Sequence, residues 1–291
     1  MNRIAESELI INPDGSIYHL HLRPEHIAND IIVVGDPQRV EIISNYFDHI
    51  EYKITNREFV THTGTLGGKR ITALATGIGT DNIDIVINEL DAIVNIDLEN
   101  RIPKKEHRKL NIVRLGTSGA LQADIPVDSF VFSQYGLGLD GLLNFYENRD
   151  QVINKELTEA FIKQSGWHHD LAKPYIVGGS KGLEKRIADG MIKGITATAP
   201  GFYGPQGRIL RLPLMQKNIN SSLENFRFDG HRITNFEMET SALYGLGGML
   251  GHDTATVCAI IANRYTKSFS QNYKSTVVKL IELLLERMIL R

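Results

Sequence analysis

The sequence has 291 residues and a mass of 32.6 kDa, with 42% hydrophobic and 23% charged residues, a composition typical of a globular protein and not of a disordered or fibrous one. Its 32 Lys and Arg against 34 Asp and Glu give a formal net charge of -2, which excludes an overall basic surface for nucleic acid. The N-terminal residues lack the apolar core of a secretion signal, and the apolar stretch from Val277 to Leu290 is interrupted by charges and too short to span a bilayer. With a single cysteine, Cys258, these features predict a cytoplasmic protein with no membrane or nucleic-acid partner.

Apolar runs bounded by glycine predict strands at 31–34, 71–75, 112–115 and 254–262. They show little alternation, as expected for strands buried on both faces. Segments with helical periodicity lie at 40–46, 83–94, 238–250 and 276–290. The alternation predicts an α/β fold with a central mixed β-sheet flanked by helices, in a single domain that covers residues 1–291.

Two further features refine this prediction. The segment from Phe59 to Ala75 predicts a β-hairpin that turns at Gly67-Gly68. The polar stretches 96–109 and 178–193 interrupt the pattern, and we expect both to be surface excursions. Neither has the length or low complexity of an interdomain linker, which favours one domain.

Two glycine motifs match known signatures only weakly. Gly-Leu-Gly-Leu-Asp-Gly at 136–141 fits a dinucleotide-binding pattern, but the segment after it is too short and polar for the helix that such binding requires. Gly-Gly-Ser-Lys-Gly at 178–182 matches a nucleophile elbow, and Asp229 with His231 or His252 would complete a triad with Ser180. A serine hydrolase that uses Ser180 therefore stays open, against a simple glycine turn.

The histidines do not indicate a metal enzyme. No spacing matches a tetrahedral zinc site, and a lone cysteine cannot supply a second thiolate. We expect no catalytic metal, and we expect the adjacent His168 and His169 to be surface residues.

Three other motifs place charge beside predicted strand ends. Gly35-Asp36-Pro37-Gln38-Arg39 follows a strand and opens a helix, so its backbone N–H groups and Arg39 would face an anion there. Arg114 lies inside an apolar strand, where a charge is costly unless it is paired. Glu237-Met238-Glu239 lies at a strand-to-helix junction. Each motif also has an interpretation without a ligand: a capped turn at 35–39, a buried ion pair at Arg114 and an ordinary helix N-terminus at 237–239.

Taken in order, six motifs resemble those of the nucleoside phosphorylase superfamily, and within it the uridine phosphorylase branch. They span nearly the whole chain, and they are Gly35-Asp36-Pro37-x-Arg39, Arg57-Glu58-Phe59, Thr76-Gly77-Ile78-Gly79, Arg114-x-Gly116-Thr117-Ser118-Gly119-Ala120, Phe202-Tyr203-x-x-Gln206-x-Arg208 and Glu237-Met238-Glu239. Each motif is weak singly, whereas the ordered set is specific. The resemblance implies the fold predicted above and a reaction in which phosphate replaces the base of a nucleoside.

The resemblance also implies a role for each site residue. Gly35, Arg39, Arg114 and Thr117 are implied to bind phosphate, together with Arg57 of a neighbouring subunit. Ribose falls to Met238 and Glu239, with Glu237 beside them and His19 of the neighbour at the 5′ end. The base falls to Phe202 as a stacking surface and to Gln206 and Arg208. The catalytic set is then Arg39, Arg57, Arg114, Thr117 and Arg208.

The base residues indicate the substrate. The Gln206 amide has a donor and an acceptor for the N3–H and a carbonyl of uracil, and Arg208 would stabilise negative charge on the departing pyrimidine. In the purine-handling branch a Ser-Asp pair follows the last strand, whereas this chain has Ile261-Ala262-Asn263-Arg264 there. The resemblance thus implies phosphorolysis of uridine, with deoxyuridine or thymidine as further candidates. A purine nucleoside phosphorylase, the Ser180 hydrolase and a nucleoside-binding module without catalysis are the alternatives.

The resemblance has implications for cofactors and assembly as well. Phosphate is a co-substrate, and no organic cofactor or catalytic metal is expected. A structural monovalent or divalent cation near Glu58 stays open. The shared roles of Arg57 and His19 imply a homodimer as the smallest unit, with a hexamer, a trimer of dimers, as the larger alternative.

Overall fold

The structure, a computed structural model, describes residues 3–289. In that range the strands are β1 Asp30–Val34, β2 His49–Asn56, β3 Phe59–Leu66, β4 Lys69–Ala75, β5 Ile96–Asp97, β6 Ile102–Pro103, β7 Asn111–Ala120, β8 Phe130–Gly138, β9 Tyr175–Gly178, β10 Ile192–Thr198, β11 Arg227–Phe228, β12 His231–Glu237, β13 Asp253–Asn263 and β14 Ser268–Phe269. The α-helices are α1 Gln38–Ser44, α2 Thr80–Asn95, α3 Lys155–Ser165, α4 Lys181–Ile187, α5 Ile219–Asn225, α6 Thr240–Leu250 and α7 Tyr273–Ile289. None of these helices is long and apolar enough to cross a membrane.

Twelve strands form one mixed sheet in the order β11-β12-β10-β8-β13-β7-β1-β4-β3-β2, with β9 and β14 added beside β8 and β13. Strand β1 lies parallel to both β4 and β7, and β7 lies parallel to β13. Strands β2, β3 and β4 are antiparallel neighbours. The sequence prediction of a mixed sheet is therefore confirmed.

One part of the sheet closes on itself. Strand β7 pairs with β13 on one side and, at its carboxyl end, antiparallel with β12, through Ala120 opposite Asn235 and Gly119 opposite Phe236. The ring continues from β13 through β8 and β10 back to β12. This closure brings the end of β12 beside the end of β7, although more than 100 residues separate them in sequence.

Helices cover both faces of the sheet, as the unbroken apolar strands predict. On one face the apolar sides of α2 and α6 pack together, with Ile83, Val86 and Leu243 fully buried. On the other face α1, α4 and α7 contribute a second cluster that includes Ile43, Ile187 and Leu284. The predicted hairpin is present as β3 and β4, and its turn residues Gly67 and Gly68 have φ of 55° and 77°, which favour glycine.

The stretch 178–193 corrects a prediction from the sequence. Instead of a surface excursion, it contains α4, whose residues Leu183 and Ile187 are buried in the core. Four of the seven residues of α4 are charged, so the helix buries only one side and its composition alone indicated a surface segment. The stretch 96–109 is an excursion built around the small hairpin of β5 and β6, which pair apart from the main sheet.

Helix boundaries differ from the prediction by a few residues. Helix α6 begins at Thr240, two residues later than the periodicity predicts, because Glu237 and Glu239 lie before its first turn and their side chains bond within the site. Helix α7 begins at Tyr273, and Leu290 lies outside the described residues. Gly136 and Gly138 lie inside β8, and only the short 3-10 helix Leu142–Phe145 follows the motif in place of an α-helix, so the dinucleotide-binding pattern is coincidental.

Candidate functional site

A cavity of about 700 Å³ opens where β1, β7 and β12 end. Its lining contains every site residue predicted from the sequence except His19 and Arg57, namely Gly35, Arg39, Arg114, Thr117, Phe202, Gln206, Arg208, Glu237, Met238 and Glu239. These residues come from four separate parts of the chain. The ring closure of the sheet is what places the two halves of the set in one cavity.

Arg39 is a cation without a partner. It lies in the first turn of α1, and no hydrogen bond or ion pair of its side chain is found within residues 3–289. Burial lowers the pKa of Arg39, the nearby charge of Asp36 opposes this effect, and Arg114 adds to it. A poorly solvated guanidinium that faces a cavity favours an anion there, so Arg39 is a candidate anion-binding group.

Arg114 is in the opposite situation, since two buried carboxylates hold it. One terminal nitrogen lies 3.1 Å from Glu237 and the other contacts Glu239. Burial would lower the pKa of Arg114, but the charges of Glu239 and Glu237 raise it well above the ordinary value. The Nε atom has no partner in the described structure. The buried ion pair expected as an alternative is thus present, and the same side chain also lines the cavity.

Glu237 has its carboxylate fully engaged inside the protein. It accepts hydrogen bonds from the Thr198 hydroxyl at 2.6 Å and from the backbone N–H groups of Glu239 and Thr240 at about 3.0 Å, in addition to the contact with Arg114. These contacts leave little capacity for a sugar hydroxyl. The geometry therefore favours a structural role, in which Glu237 orients Arg114 and caps the start of α6.

Glu239 holds a different set of contacts. Its carboxylate accepts from the backbone N–H of Gly79 at 2.9 Å and from that of Met238 at 3.3 Å, and it contacts Arg114. Burial raises the pKa of Glu239 above its ordinary value, Arg114 opposes the shift and the charge of Glu237 adds to it. The contact with Gly79 connects the start of α2 to the site.

At the other end of the cavity lies a polar cluster around Gln206. Its Oε1 accepts from Arg208 at 2.6 Å, and Arg208 also donates to the Phe202 carbonyl and lies 3.8 Å from the centre of the Phe202 ring. Burial lowers the pKa of Arg208 to about 10, and the neighbouring charge of Arg264 adds to the shift. Two incompletely solvated guanidiniums beside each other favour a ligand that carries negative charge.

Arg264 lies behind this cluster, and the sequence analysis assigned it no role. It donates to the Gln206 carbonyl at 3.2 Å, and its other terminal nitrogen is buried without a partner. The only signal in the sequence was its position directly after the last long strand, β13. Its contact with the backbone of Gln206 could not be derived from that position.

The wall next to this cluster is apolar. Ile261 and Ala262 line the cavity, whereas the Asn263 side chain turns away and bonds to the carbonyls of Gln122 and Ile125. The absence of a carboxylate at 261–264, noted in the sequence, therefore corresponds to an apolar surface in the cavity.

His19 and Arg57 lie together outside this cavity. Arg57 donates to the Tyr18 hydroxyl at 3.3 Å and its guanidinium lies 5.3 Å from the centre of the Tyr18 ring. The Asn56 side chain donates to the His19 carbonyl at 2.8 Å. Their predicted roles in a neighbouring subunit's site remain predictions, and the grouping of the two residues is compatible with those roles.

A second, larger cavity of about 980 Å³ lies next to the first and shares Arg208 with it. Its walls are mostly apolar side chains of the segment 209–215, among them the exposed Leu210, Leu212 and Met215. It contains no cluster of polar groups comparable to that around Arg39 and Arg114. We therefore assign the chemistry to the smaller cavity.

Ser180, the group His168, His169 and Asp170, and Cys258 do not form a second catalytic centre within residues 3–289. Ser180 is the N-cap of α4, where its hydroxyl accepts from the Leu183 backbone N–H at 3.3 Å. His168, His169 and Asp170 are close enough to hold a metal ion, the only such group of three among residues 3–289, but the Nδ1 of His168 already accepts the Asp170 N–H. Burial raises the pKa of Cys258 to about 11, so its thiol is not an activated nucleophile.

Comparisons with known proteins agree with this geometry. The family model described as the phosphorylase superfamily matches residues 30–289. A uridine phosphorylase of Thermococcus kodakarensis is 30% identical over 276 residues, covering 93% of this chain and 86% of that protein. A DeoD-type purine nucleoside phosphorylase of Bacillus cereus is 25% identical over 272 residues, covering 92% and 97%.

A solved structure is also similar over almost the whole length. The Trypanosoma brucei nucleoside phosphorylase, described as showing uridine phosphorylase activity, superposes with a TM-score of 0.87 at 29% identity, covering 97% of this chain and 99% of that one. The fold is that of an α/β enzyme, and its cavity is lined by Arg39 and Arg114. The chain belongs to the phosphorylase superfamily.

Proposed function

We propose that this protein catalyses the phosphorolysis of uridine, giving uracil and ribose 1-phosphate. The observation that carries the proposal is one cavity with an unpartnered Arg39 at one end and the Gln206 and Arg208 pair at the other. The similarity to the uridine phosphorylase of Thermococcus kodakarensis supports the same substrate. Deoxyuridine and thymidine have the same polar base edge and are further candidates.

Phosphate would bind at the end formed by Gly35, Arg39, Arg114 and Thr117. Arg39 has its donors free, and the backbone of Gly35 lies at the end of β1 beside it. Arg114 adds positive charge while its two carboxylates hold it in place. A preorganised cation of this kind stabilises a dianion without first rearranging.

Ribose would lie between the two ends, against Met238 and Glu239. The Glu239 carboxylate is an acceptor for sugar hydroxyls, and its contact with the Gly79 N–H fixes its position. Glu237 acts behind it by orienting Arg114. His19 of a neighbouring subunit would close the 5′ end.

In the reaction, a phosphate oxygen forms a bond to C1′ while the C1′–N1 bond breaks and its electron pair moves into the uracil ring. Arg208 would face the base, and burial, which lowers its pKa, leaves its charge poorly solvated. Negative charge that develops on uracil would therefore be stabilised most at the transition state, which is the condition for catalysis. Gln206 and Phe202 would orient the ring.

The rival substrate within the superfamily is a purine nucleoside, as in the Bacillus cereus relative. The apolar wall of Ile261 and Ala262 disfavours it, because no acid is available there to protonate a departing purine. A binding module without catalysis is disfavoured by the unpartnered Arg39, since a nucleoside alone has no anionic group to pair with it. The Ser180 hydrolase has no support in the geometry.

The proposal also covers the cellular compartment, the cofactors and the oligomeric state. The chain acts as a single domain over 1–291, in the cytoplasm, with phosphate as co-substrate and without an organic cofactor or catalytic metal. A homodimer is the smallest active unit, because Arg57 and His19 lie away from their own cavity, and a trimer of dimers is the larger assembly to test. A cation near Glu58 would require groups from a second subunit.

The test is the release of uracil from uridine with and without phosphate. We expect release only with phosphate, in equal amount with ribose 1-phosphate. Release at the same rate in phosphate-free buffer would mean hydrolysis and would contradict the proposal.

A further inference from the structure

Helix α2 supplies the support for His19. Glu89, in the third turn of α2, accepts hydrogen bonds from the backbone N–H groups of His19 at 3.0 Å and Leu20 at 2.8 Å, and it lies 2.6 Å from the Nδ1 of His19. The Glu89 side chain is largely buried, with 13% of its surface exposed. One acidic side chain therefore fixes both the loop and the ring that it carries.

This contact determines which ring nitrogen of His19 is free. A carboxylate only accepts hydrogen bonds, so the Nδ1 atom of His19 must carry a proton. In the neutral ring the Nε2 atom is then left with its lone pair, because the partner of one nitrogen fixes the tautomer. No hydrogen bond to Nε2 is found within residues 3–289, so this atom is available to a ligand.

We propose that Glu89 is a positioning residue that holds His19 in the Nδ1–H form, so that Nε2 accepts the hydrogen bond of the ribose 5′-hydroxyl in the neighbouring subunit's site. The inference rests on the proposed function. It gives α2 a role beyond its packing. The Gly79 N–H at the start of the helix contacts Glu239 in one site, and Glu89 further along the helix supports His19 for the site of the neighbouring subunit. Tyr18 and Asn56 hold the rest of the loop.

The direct test compares uridine with 5′-deoxyuridine, which lacks the hydroxyl that His19 would contact. In the wild type we expect kcat/KM to favour uridine about two- to tenfold, the effect of one hydrogen bond. Glu89→Gln keeps an oxygen for the backbone N–H groups but loses the charge that fixes the ring, so the preference should fall towards one. Activity on 5′-deoxyuridine should stay close to that of the wild type.

Two further variants separate this role from a general effect on the fold. His19→Ala should abolish the preference, and His19→Ala with Glu89→Gln should show no further loss, because the two residues act on one interaction. Glu159→Gln, an exposed glutamate on α3, is the matched control and should retain the preference. Equal losses with both nucleosides in Glu89→Gln, or an unchanged preference, would overturn the inference.

A second measurement does not depend on activity. Ring ¹⁵N shifts of His19, assigned by comparison with His19→Ala, should show a protonated Nδ1 in the wild type and a mixture of tautomers in Glu89→Gln. A neutral His19 ring protonated mainly at Nε2 in the wild type would overturn the inference. A wild type that is active on both nucleosides but shows no preference contradicts the inference alone, whereas inactivity on both contradicts the proposed function as well.

Discussion

Single residues decide what this cavity can bind, and the two cavity arginines differ in a way that their sequence context does not show. Arg39 has no side-chain partner in the described structure, whereas Arg114 is held by Glu237 and Glu239. Both follow or lie within apolar strands, so the sequence identified them as candidates. Which of the two guanidiniums lacks a partner depends on the end of β12. Glu237 and Glu239 reach Arg114 in β7 only because the sheet closes there.

Arg208 gives the first prediction at this scale. Arg208→Met keeps the length of the side chain but removes the cation, and we expect kcat with uridine to fall about 10²- to 10³-fold, as for the loss of one electrostatic donor. The measurement is steady-state kinetics at saturating phosphate.

Arg211→Ala is the control for that variant. Arg211 lies three residues further along and lines the second cavity instead. Its activity should stay near that of the wild type. Equal losses in the two variants would mean that positive charge in this region matters without any contact with the base.

Ser180 gives a prediction of the opposite kind. Ser180→Ala removes the cap of α4, so thermal or chemical unfolding should show a loss of about 1 kcal/mol of stability. Phosphorolysis should be unchanged at a temperature where the variant is folded. A folded but inactive Ser180→Ala protein would support the hydrolase and contradict our assignment.

At the scale of elements, the sequence predicted regular structure well where the apolar residues dominate a segment. Strands β1, β4 and β13 and helices α2 and α7 are continuous apolar or strongly periodic segments, and each was predicted within a few residues. The burial of helix α4 was not predicted, because its short sequence is mostly charged and the buried sides of Leu183 and Ile187 are visible only against α7.

The contact between α1 and β3 gives a prediction about pH. The Nδ1 atom of His62 lies 2.7 Å from the Ser44 hydroxyl, and burial lowers the pKa of His62 below its ordinary 6.5, with Lys53 adding to the shift. The unfolded chain therefore binds this proton first as the pH falls, so the stability that neutral His62 contributes is present above pH 6.5 and is lost below it.

His62→Gln tests that contribution. At about pH 7.5 the variant should unfold with a free energy about 1 kcal/mol lower than the wild type, the value of one buried hydrogen bond. The difference should shrink as the pH approaches about 5, because only the wild type loses the contribution. His49→Gln, at an exposed position on β2, should show neither effect. A difference that stays constant with pH would contradict the role of His62.

At the scale of the whole molecule, the ordered motifs predict the site set and, through the family resemblance alone, its division between subunits. The described chain brings ten of the twelve predicted residues to one cavity and leaves His19 and Arg57 on another surface. Composition and periodicity contain no information on this division. Arg264 likewise contacts Gln206 only through the folded position of the segment after β13.

The shared site predicts that two inactive proteins restore each other. A mixed dimer of Arg39→Ala and Arg57→Ala subunits has one site with both arginines and one with neither. After equal amounts are unfolded and refolded together, about half of the dimers are mixed and about a quarter of all sites should have wild-type activity. Arg114→Ala is less suitable, because it leaves Glu237 and Glu239 buried without their cation, at a cost of about 3–5 kcal/mol.

Mixed dimers must be shown to form, for example by different affinity tags on the two subunits. Recovery near a quarter would place Arg57 in the neighbour's site. Mixed dimers without activity would place Arg57 in the site of its own subunit or outside catalysis.

The central claim is that the cavity selects uridine, and the ratio of kcat/KM for uridine to that for inosine at saturating phosphate tests it most directly. Gln206 and Arg208, which bond to each other, would have no pyrimidine edge for their remaining donors against a purine, and no acid lies at Ile261 and Ala262 to help the purine leave. A polar site left with unpaired donors rejects the wrong ligand by about 10⁴ or more. The account predicts a ratio of that order in favour of uridine, and comparable turnover of inosine would contradict it.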